Sequence, residues 1–269
     1  MKDNSKIRQR HLQIKIMTLT MKVTKLFLIL FGVFTTLPLF AQIDLELLKK
    51  AEAGDADAQH SVGAAYYMGE GVNKDYKKAV QWLTKSANQG DPNAQHDLAV
   101  MYMYGFGVFV DYKKAVKLYT KAANQGHFIA QYSLGLIYHG GRGKVRQDHK
   151  KAVEWFTKSA NSGYAEAQHA LGTIYLTGKG ITPQDNKKAL EWLTKAAYQG
   201  HSAAQRILAV MYKFGMGTPH DVITACAWGY IGEHTETVNE CDNHLTKEQK
   251  AETLQKIEEL KKSIKRLTP

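Results

Sequence analysis

Five glutamines, Gln59, Gln95, Gln131, Gln168 and Gln205, recur every 36 or 37 residues, each preceded by Ala and each followed seven residues later by Tyr. A chain that repeats one frame five times in register is an array, and its fold is decided by how a small unit stacks on its own copies. Three residues after each glutamine stands Val62, Leu98, Leu134, Leu171 or Leu208, and next comes a small residue, Gly63, Ala99, Gly135, Gly172 or Ala209. Small residues there let two helices approach closely. A Gly-x-Gly follows in every copy (Gly69/Gly71, Gly105/Gly107, Gly141/Gly143, Gly178/Gly180, Gly215/Gly217), then Asp75, Asp111, Asp148, Asp185 or Asp221, and four residues later an Ala. The glycines break one helix and the Asp caps the next.

The second helix keeps Trp82, Leu118, Trp155, Trp192 and Trp228 in one phase and, in the first four copies, closes on Gly90, Gly126, Gly163 or Gly200, the left-handed stop common at helix C-termini. Pairs of short amphipathic helices bury their apolar faces only against neighbouring pairs, so the pattern predicts an all-α solenoid with repeats at 55–90, 91–126, 127–163, 164–200 and 201–232. Its ends need caps. Residues 42–54, with Ile43, Leu45, Leu47, Leu48 and Ala51, read as a half repeat at the front. Residues 233–269 read as C-terminal capping helices, with a Thr246/Gln249 capping box and a stripe of Leu254, Ile257, Leu260 and Ile264. Lysines at 85, 121, 158 and 195 fall near second-helix C-termini, where a cation offsets the helix dipole.

The A-Q-x-x-[LV]-[GA]-x-x-Y core and the G-x-G turn followed by D-x-x-[KT]-A resemble Sel1-like repeats, relatives of the tetratricopeptide repeat, over roughly residues 42–232. The resemblance implies a right-handed α/α superhelix that serves as an interaction scaffold or adaptor, with first helices along its concave face. One branch, the Helicobacter cysteine-rich family, is associated with penicillin binding and β-lactamase activity. This chain lacks that branch's cysteine in every repeat, and no S-x-x-K, S-D-N or K-T-G is present to activate a serine. The reading is therefore a non-catalytic protein without cofactor, and the penicillin-interactive enzyme ranks third, behind an envelope or secreted factor that binds peptidoglycan fragments or a host protein.

Ahead of the array, Lys22 and Lys25 precede an apolar run from Leu26 to Phe40 that ends Leu39-Phe40-Ala41. Residues 21–41 thus have the n-region, h-region and small-residue cleavage site of a signal peptide, and residues 1–20 read as an over-long gene start. The alternative is an uncleaved anchor, although the run is short of the about 20 residues a spanning helix needs. Export to the periplasm or beyond is expected. Residues 1–41 hold seven Lys/Arg and one Asp, so without them the formal net charge falls from +11 to +5. No basic stripe interleaves with aromatics, which argues against single-stranded nucleic acid as a partner. A protein or peptide partner and a monomeric array are the expectation.

Cys226 and Cys241 are the two cysteines of the chain. In an oxidising compartment they favour a disulfide closing a loop of roughly 15 residues, worth about 3 kcal/mol; the alternative is a pair of free thiols. His60, His96 and His169 share one phase, just after the repeated Gln. Stacked helices lie about 10 Å apart, too far for these imidazoles to share a zinc with ligands at about 2 Å, so no metal is assigned. The candidate binding surface is the stripe one, five and eight residues after each Gln, which mixes aromatic, Met and His side chains. Tyr67, Met103, Tyr132 and His139 are its expected anchors, with His60, His96 and His169 beside them. Mass spectrometry of the exported chain is expected to find Gln42 at its N-terminus.

Overall fold

The computed structural model describes residues 44–141, 145–178 and 183–267, which contain thirteen helices and no strand. The expected signal segment 21–41, residues 1–20, Ile43, Gly143 and Gly180 lie outside the described residues. A front helix α1 (Leu45–Glu52) is followed by five pairs: α2 (Ala56–Met68) and α3 (Tyr76–Asn88), α4 (Pro92–Tyr104) and α5 (Tyr112–Asn124), α6 (Phe128–Gly140) and α7 (His149–Asn161), α8 (Ala165–Thr177) and α9 (Asn186–Tyr198), α10 (Ser202–Phe214) and α11 (Val222–Ile231). Helices α12 (Thr235–His244) and α13 (Lys247–Leu267) close the array. Residues 43–269 form a compact unit of their own. Helices pack mainly on their sequence neighbours, the arrangement of an α/α solenoid.

The repeated residues explain why each unit has this shape. Asp75, Asp111, Asp148, Asp185 and Asp221 each accept a hydrogen bond from the third backbone N–H of the second helix, satisfying donors that a helix start leaves orphaned. Gly69, Gly105, Gly141, Gly178 and Gly215 end the first helices with φ between 62° and 81°, where a Cβ would be strained. Within the pair, a Cβ on Gly135 would lie 2.5 Å from Phe156 Cδ1, and one on Gly172 would lie 2.5 Å from Leu193 Cγ. The small residue is what admits the large one.

The recurring glutamine joins one repeat to the next. Gln59, Gln95, Gln131, Gln168 and Gln205 are buried, and each Nε2 donates at 3.0–3.2 Å to a carbonyl eight residues earlier, on Ala51, Ala87, Ala123, Ala160 or Ala197. Those carbonyls close the preceding helix, where helix geometry supplies no further intrahelical partner. A second glutamine completes the link: Gln89, Gln125 and Gln199 donate Nε2 to Oε1 of Gln59, Gln95 and Gln168 at 2.8–2.9 Å. In the third repeat that position is Ser162, whose Oγ reaches only its own helix, at Lys158 O. Gln131 Oε1 is accordingly the one buried side-chain oxygen or nitrogen without a partner among the described residues.

The ends follow the same logic. Gln59 treats α1 as it treats a second helix, and Gln89 also donates to Gly54 O as Gln125 does to Gly90 O. At the other end Cys226 and Cys241 are disulfide-bonded with Cα atoms 6.0 Å apart, tying α11 to α12. Thr246 and Gln249 exchange the two bonds of a capping box at the start of α13. The expected stripe of α13 needs one correction, since Leu254 is 65% exposed and Thr253 is buried. The 4-3-4 spacing of Thr253, Ile257, Leu260 and Ile264 fits one helical face better than the 3-3-4 spacing from Leu254, and the Thr253 hydroxyl is satisfied by Gln249 O at 2.8 Å.

The second-helix lysines do more than offset a dipole. Lys85, Lys158 and Lys195 lie 4.0–4.2 Å from the ring centres of Trp82, Trp155 and Trp192, a cation–π geometry that keeps those half-buried indoles covered. Replacing Ser162 by Gln should supply the missing partner of Gln131 and raise stability by about 1 kcal/mol, read as a higher denaturation midpoint with unchanged slope.

Candidate interaction surface

The stripe one, five and eight residues after each Gln is half-buried along most of its length, and its members touch residues of the next repeat. His60 donates Nε2–H to Asp97 Oδ2 at 2.8 Å, and His96 donates Nδ1–H to Asp97 Oδ1 at 2.9 Å. His60 and His96 therefore share a carboxylate. The His60 bond ties α2 directly to α4, the first helix of the next repeat. Burial alone would raise the Asp97 carboxyl, but the bonds from His60 and His96 outweigh it and hold the pKa at about 2. The Asp97 hydrogen bond in turn raises His60, against the opposing pull of burial.

A second contact recurs beside it. The residue four before each Gln starts the first helix, and it reads Asp55, Asp91, His127, Tyr164 and His201. His127 and His201 cap their helices by accepting, on Nδ1, the N–H of Ala130 at 3.1 Å and of Ala204 at 3.2 Å. Each also stacks on the stripe histidine of the previous repeat. His96 and His127 have ring centres 4.8 Å apart, and His169 and His201 4.4 Å apart. Between the third and fourth repeats the same two positions hold Tyr132 and Tyr164, edge-to-face at 5.3 Å.

Each expected anchor can now be placed. Tyr67 packs on Tyr76 and Phe106 with centroids 5.6 and 5.8 Å away, and remains partly exposed. Tyr132 leans on Phe156 as well as Tyr164, and His139 lies against His149 and Phe156. Met103 must be corrected: it is 7% exposed and belongs to the core of the second and third repeats with Tyr119 and Leu134, because its phase turns inward between α4 and α5. Residues that sequence reasoning passed over are Asp97, His127, Tyr164 and His201. The column four before each Gln was the signal for the last three, but a column changing from Asp to His to Tyr carries no periodicity of its own.

A notch of about 70 Å³ opens on this wall, lined by Ala64, Tyr67, Met68, Leu83, Asp97, Val100 and Met101. It has room for one small side chain, with an aromatic ring and a carboxylate at its edge. Among the described residues no three His, Cys, Asp or Glu side chains gather as metal ligands.

The family pattern described as Sel1 repeat matches residues 56–91, 92–127, 129–164, 165–201 and 202–229. The chain belongs to the Sel1 repeat family. Among solved structures it is similar to a Sel1 repeat protein from Oxalobacter formigenes, with 28% identity over 72% of this chain and 83% of that one, at a TM-score of 0.62. It is also similar to c5321, a protective antigen present in uropathogenic Escherichia coli strains, with 30% identity over 82% of this chain and 57% of that one, at a TM-score of 0.50. No curated protein matches it.

The stacked histidines give this Sel1-repeat wall a defined response to acid. Burial, then the neighbouring His201, lowers His169 to about 4, and burial, then His96, lowers His127. A histidine depressed on folding stabilises the protein above its unfolded pKa and loses that contribution as pH falls toward its folded value. The window for His169 runs from about 6.5 down to about 4. His60 has the opposite sign, being raised: its contribution is complete below about 6.5 and fades as pH rises through the folded value. Calorimetry at about pH 7.5 and about pH 5 should show a loss on the order of 1 kcal/mol attributable to His169, discounted for its partial exposure. The variant His169→Gln should remove that part of the loss.

Proposed function

We propose that this Sel1-repeat protein is an exported, non-catalytic, monomeric adaptor that holds a protein or peptide segment along its first-helix wall. The observation that carries the reading is the notch beside Tyr67, Val100 and Asp97, on a face whose other side chains in the first four repeats include Tyr, His, Leu and Thr and no Lys or Glu. Family membership supports the coarser part, since Sel1 repeats generally serve as protein–protein interaction scaffolds. Aromatic side chains next to a small pocket are frequent carriers of interface energy. Leu136, 42% exposed in the middle of the stripe, extends the apolar surface into the third repeat.

A second reading, an envelope or secreted factor recognising a cell-wall fragment or host protein, draws support from the description of the similar uropathogenic Escherichia coli protein as a protective antigen. In-cell cross-linking of the tagged protein separates the two. One stoichiometric protein partner cross-linked to first-helix residues is expected. Capture that requires intact cell wall would favour the second reading. Replacing Tyr67, Tyr132 and His139 together by Ala should weaken capture by roughly tenfold or more while the helical circular dichroism is retained; equal capture by both proteins would rule out the first-helix wall as the binding surface.

A further inference from the structure

The second helices of the first four repeats are rich in lysine. Helices α3, α5, α7 and α9 together carry thirteen Lys against two Glu, Glu154 and Glu191. Eight of those lysines, as Lys77-Lys78, Lys113-Lys114, Lys150-Lys151 and Lys187-Lys188, occupy first turns, where the helix dipole disfavours cations. Lys78, Lys114, Lys151 and Lys188 have local compensation over the rings of Tyr66, Tyr102, Tyr138 and Tyr175 at 4.8–5.4 Å. Lys77, Lys113, Lys150 and Lys187 have no such partner among the described residues, and all are exposed. Helix stability gives no reason for a row of cations at four successive helix starts.

These starts and the glycine turns form one edge. A Cβ on Gly107 would lie 2.5 Å from Tyr76 O, and one on Gly217 would lie 2.4 Å from Asn186 O, so the turn of one repeat sits on the lysine-bearing helix start of the repeat before it. In the second repeat the edge bears an apolar tip. Phe109 is 96% exposed and Val110 is 48% exposed, where other copies place Asn73-Lys74, Arg146-Gln147 and Pro219-His220. Tyr112 adjoins them, and the open trough they share with Lys77, Lys113 and Lys114 measures about 1350 Å³.

We propose that this edge docks on an anionic lipid surface, with Phe109 and Val110 inserted at the level of the headgroups and the flanking lysines on the lipid phosphates. Phe109, 96% exposed, projects beyond the trough it helps to line, which suits insertion into a lipid interface. The cations extend over four repeats, which suits a planar polyanion. A basic surface with a Phe wedge has the two signals, apolar burial and charge attraction, that interfacial binding requires. The mode of attachment is separate from the first-helix wall and leaves that wall open to a partner.

The test is co-sedimentation of the compact unit 43–269, whose core is closed by its own caps, with vesicles of phosphatidylcholine alone or mixed with an equal part of phosphatidylglycerol. Binding to the mixed vesicles only is expected, and it should weaken with added salt. Phe109→Ser should reduce affinity about tenfold, Phe109→Leu should retain most of it, and Lys77→Gln, Lys113→Gln and Lys114→Gln should each cost about fivefold. Phe109, Lys77 and Lys113 are surface positions, so thermal unfolding should not change in their variants, while Lys114→Gln should lose only the contact with Tyr102, a small loss of stability. Equal binding to both vesicle types, or indifference to the Phe109 and lysine variants, would overturn the proposal. So would tighter binding of polyglutamate or duplex DNA with the same dependence on Phe109, which would assign the edge to an acidic polymer.

Discussion

Every interface between repeats is tied by the amide of one buried glutamine, and the rest of the structure is arranged so that this amide can be there. Gln Nε2 must reach a carbonyl at the end of the preceding helix, which requires that helix to stop where Gly90, Gly126, Gly163 and Gly200 stop it. A buried amide is costly unless its oxygen is also satisfied, and the second glutamine, contributed from the neighbouring helix end, satisfies it in three of the interfaces. Leu or Val three residues on can then sit fully in the core, since the polar atoms one turn earlier are accounted for. The bond is directional where apolar stacking is not, so it fixes the register between repeats while burial supplies most of the energy.

With register held there, the contact between the stripe residue and the next first helix is free to vary. It is a carboxylate shared by imidazoles near the front, His on His at two interfaces, and Tyr on Tyr between them. All are half-buried pairs of similar span, so each fills the same space, yet they differ in charge and in response to pH. A uniform scaffold thereby carries a non-uniform wall, and each interface can be altered with little effect beyond its neighbours, since contacts do not extend far along a solenoid.

Much of the fold could be read from residues whose role is local. Asp75 and its equivalents cap, Gly69 and its equivalents turn, and Gly63, Gly135 and Gly172 admit a neighbour; each leaves a fixed spacing in the chain. The glutamine column was equally visible, but its partners are backbone carbonyls, which have no sequence signature. The wall was less legible for the same reason. Met103 shares a phase with Tyr67 and His139, and only the depth of α4 against α5 decides that it is core. Leu254 lost its place to Thr253 because a hydroxyl bonded to its own helix is tolerated in a buried seam, and apolarity alone had favoured the leucine.

The same caps that build the repeat also make its basic edge possible. A lysine in a first turn is opposed by about 0.3–1 kcal/mol of dipole energy, and eight of them would weaken four helices noticeably. Each of those helices starts from an Asp whose side chain accepts the third backbone N–H, and in three of them it also lies within 3.4–3.8 Å of the nearby lysine. The carboxylate thus meets the positive end of the dipole and screens the lysine from it. The other lysine of each pair, Lys77, Lys113, Lys150 or Lys187, is exposed, where water lowers its cost. Once the cap is in place, charge at that position is set by what the surface meets in solution and no longer by the helix.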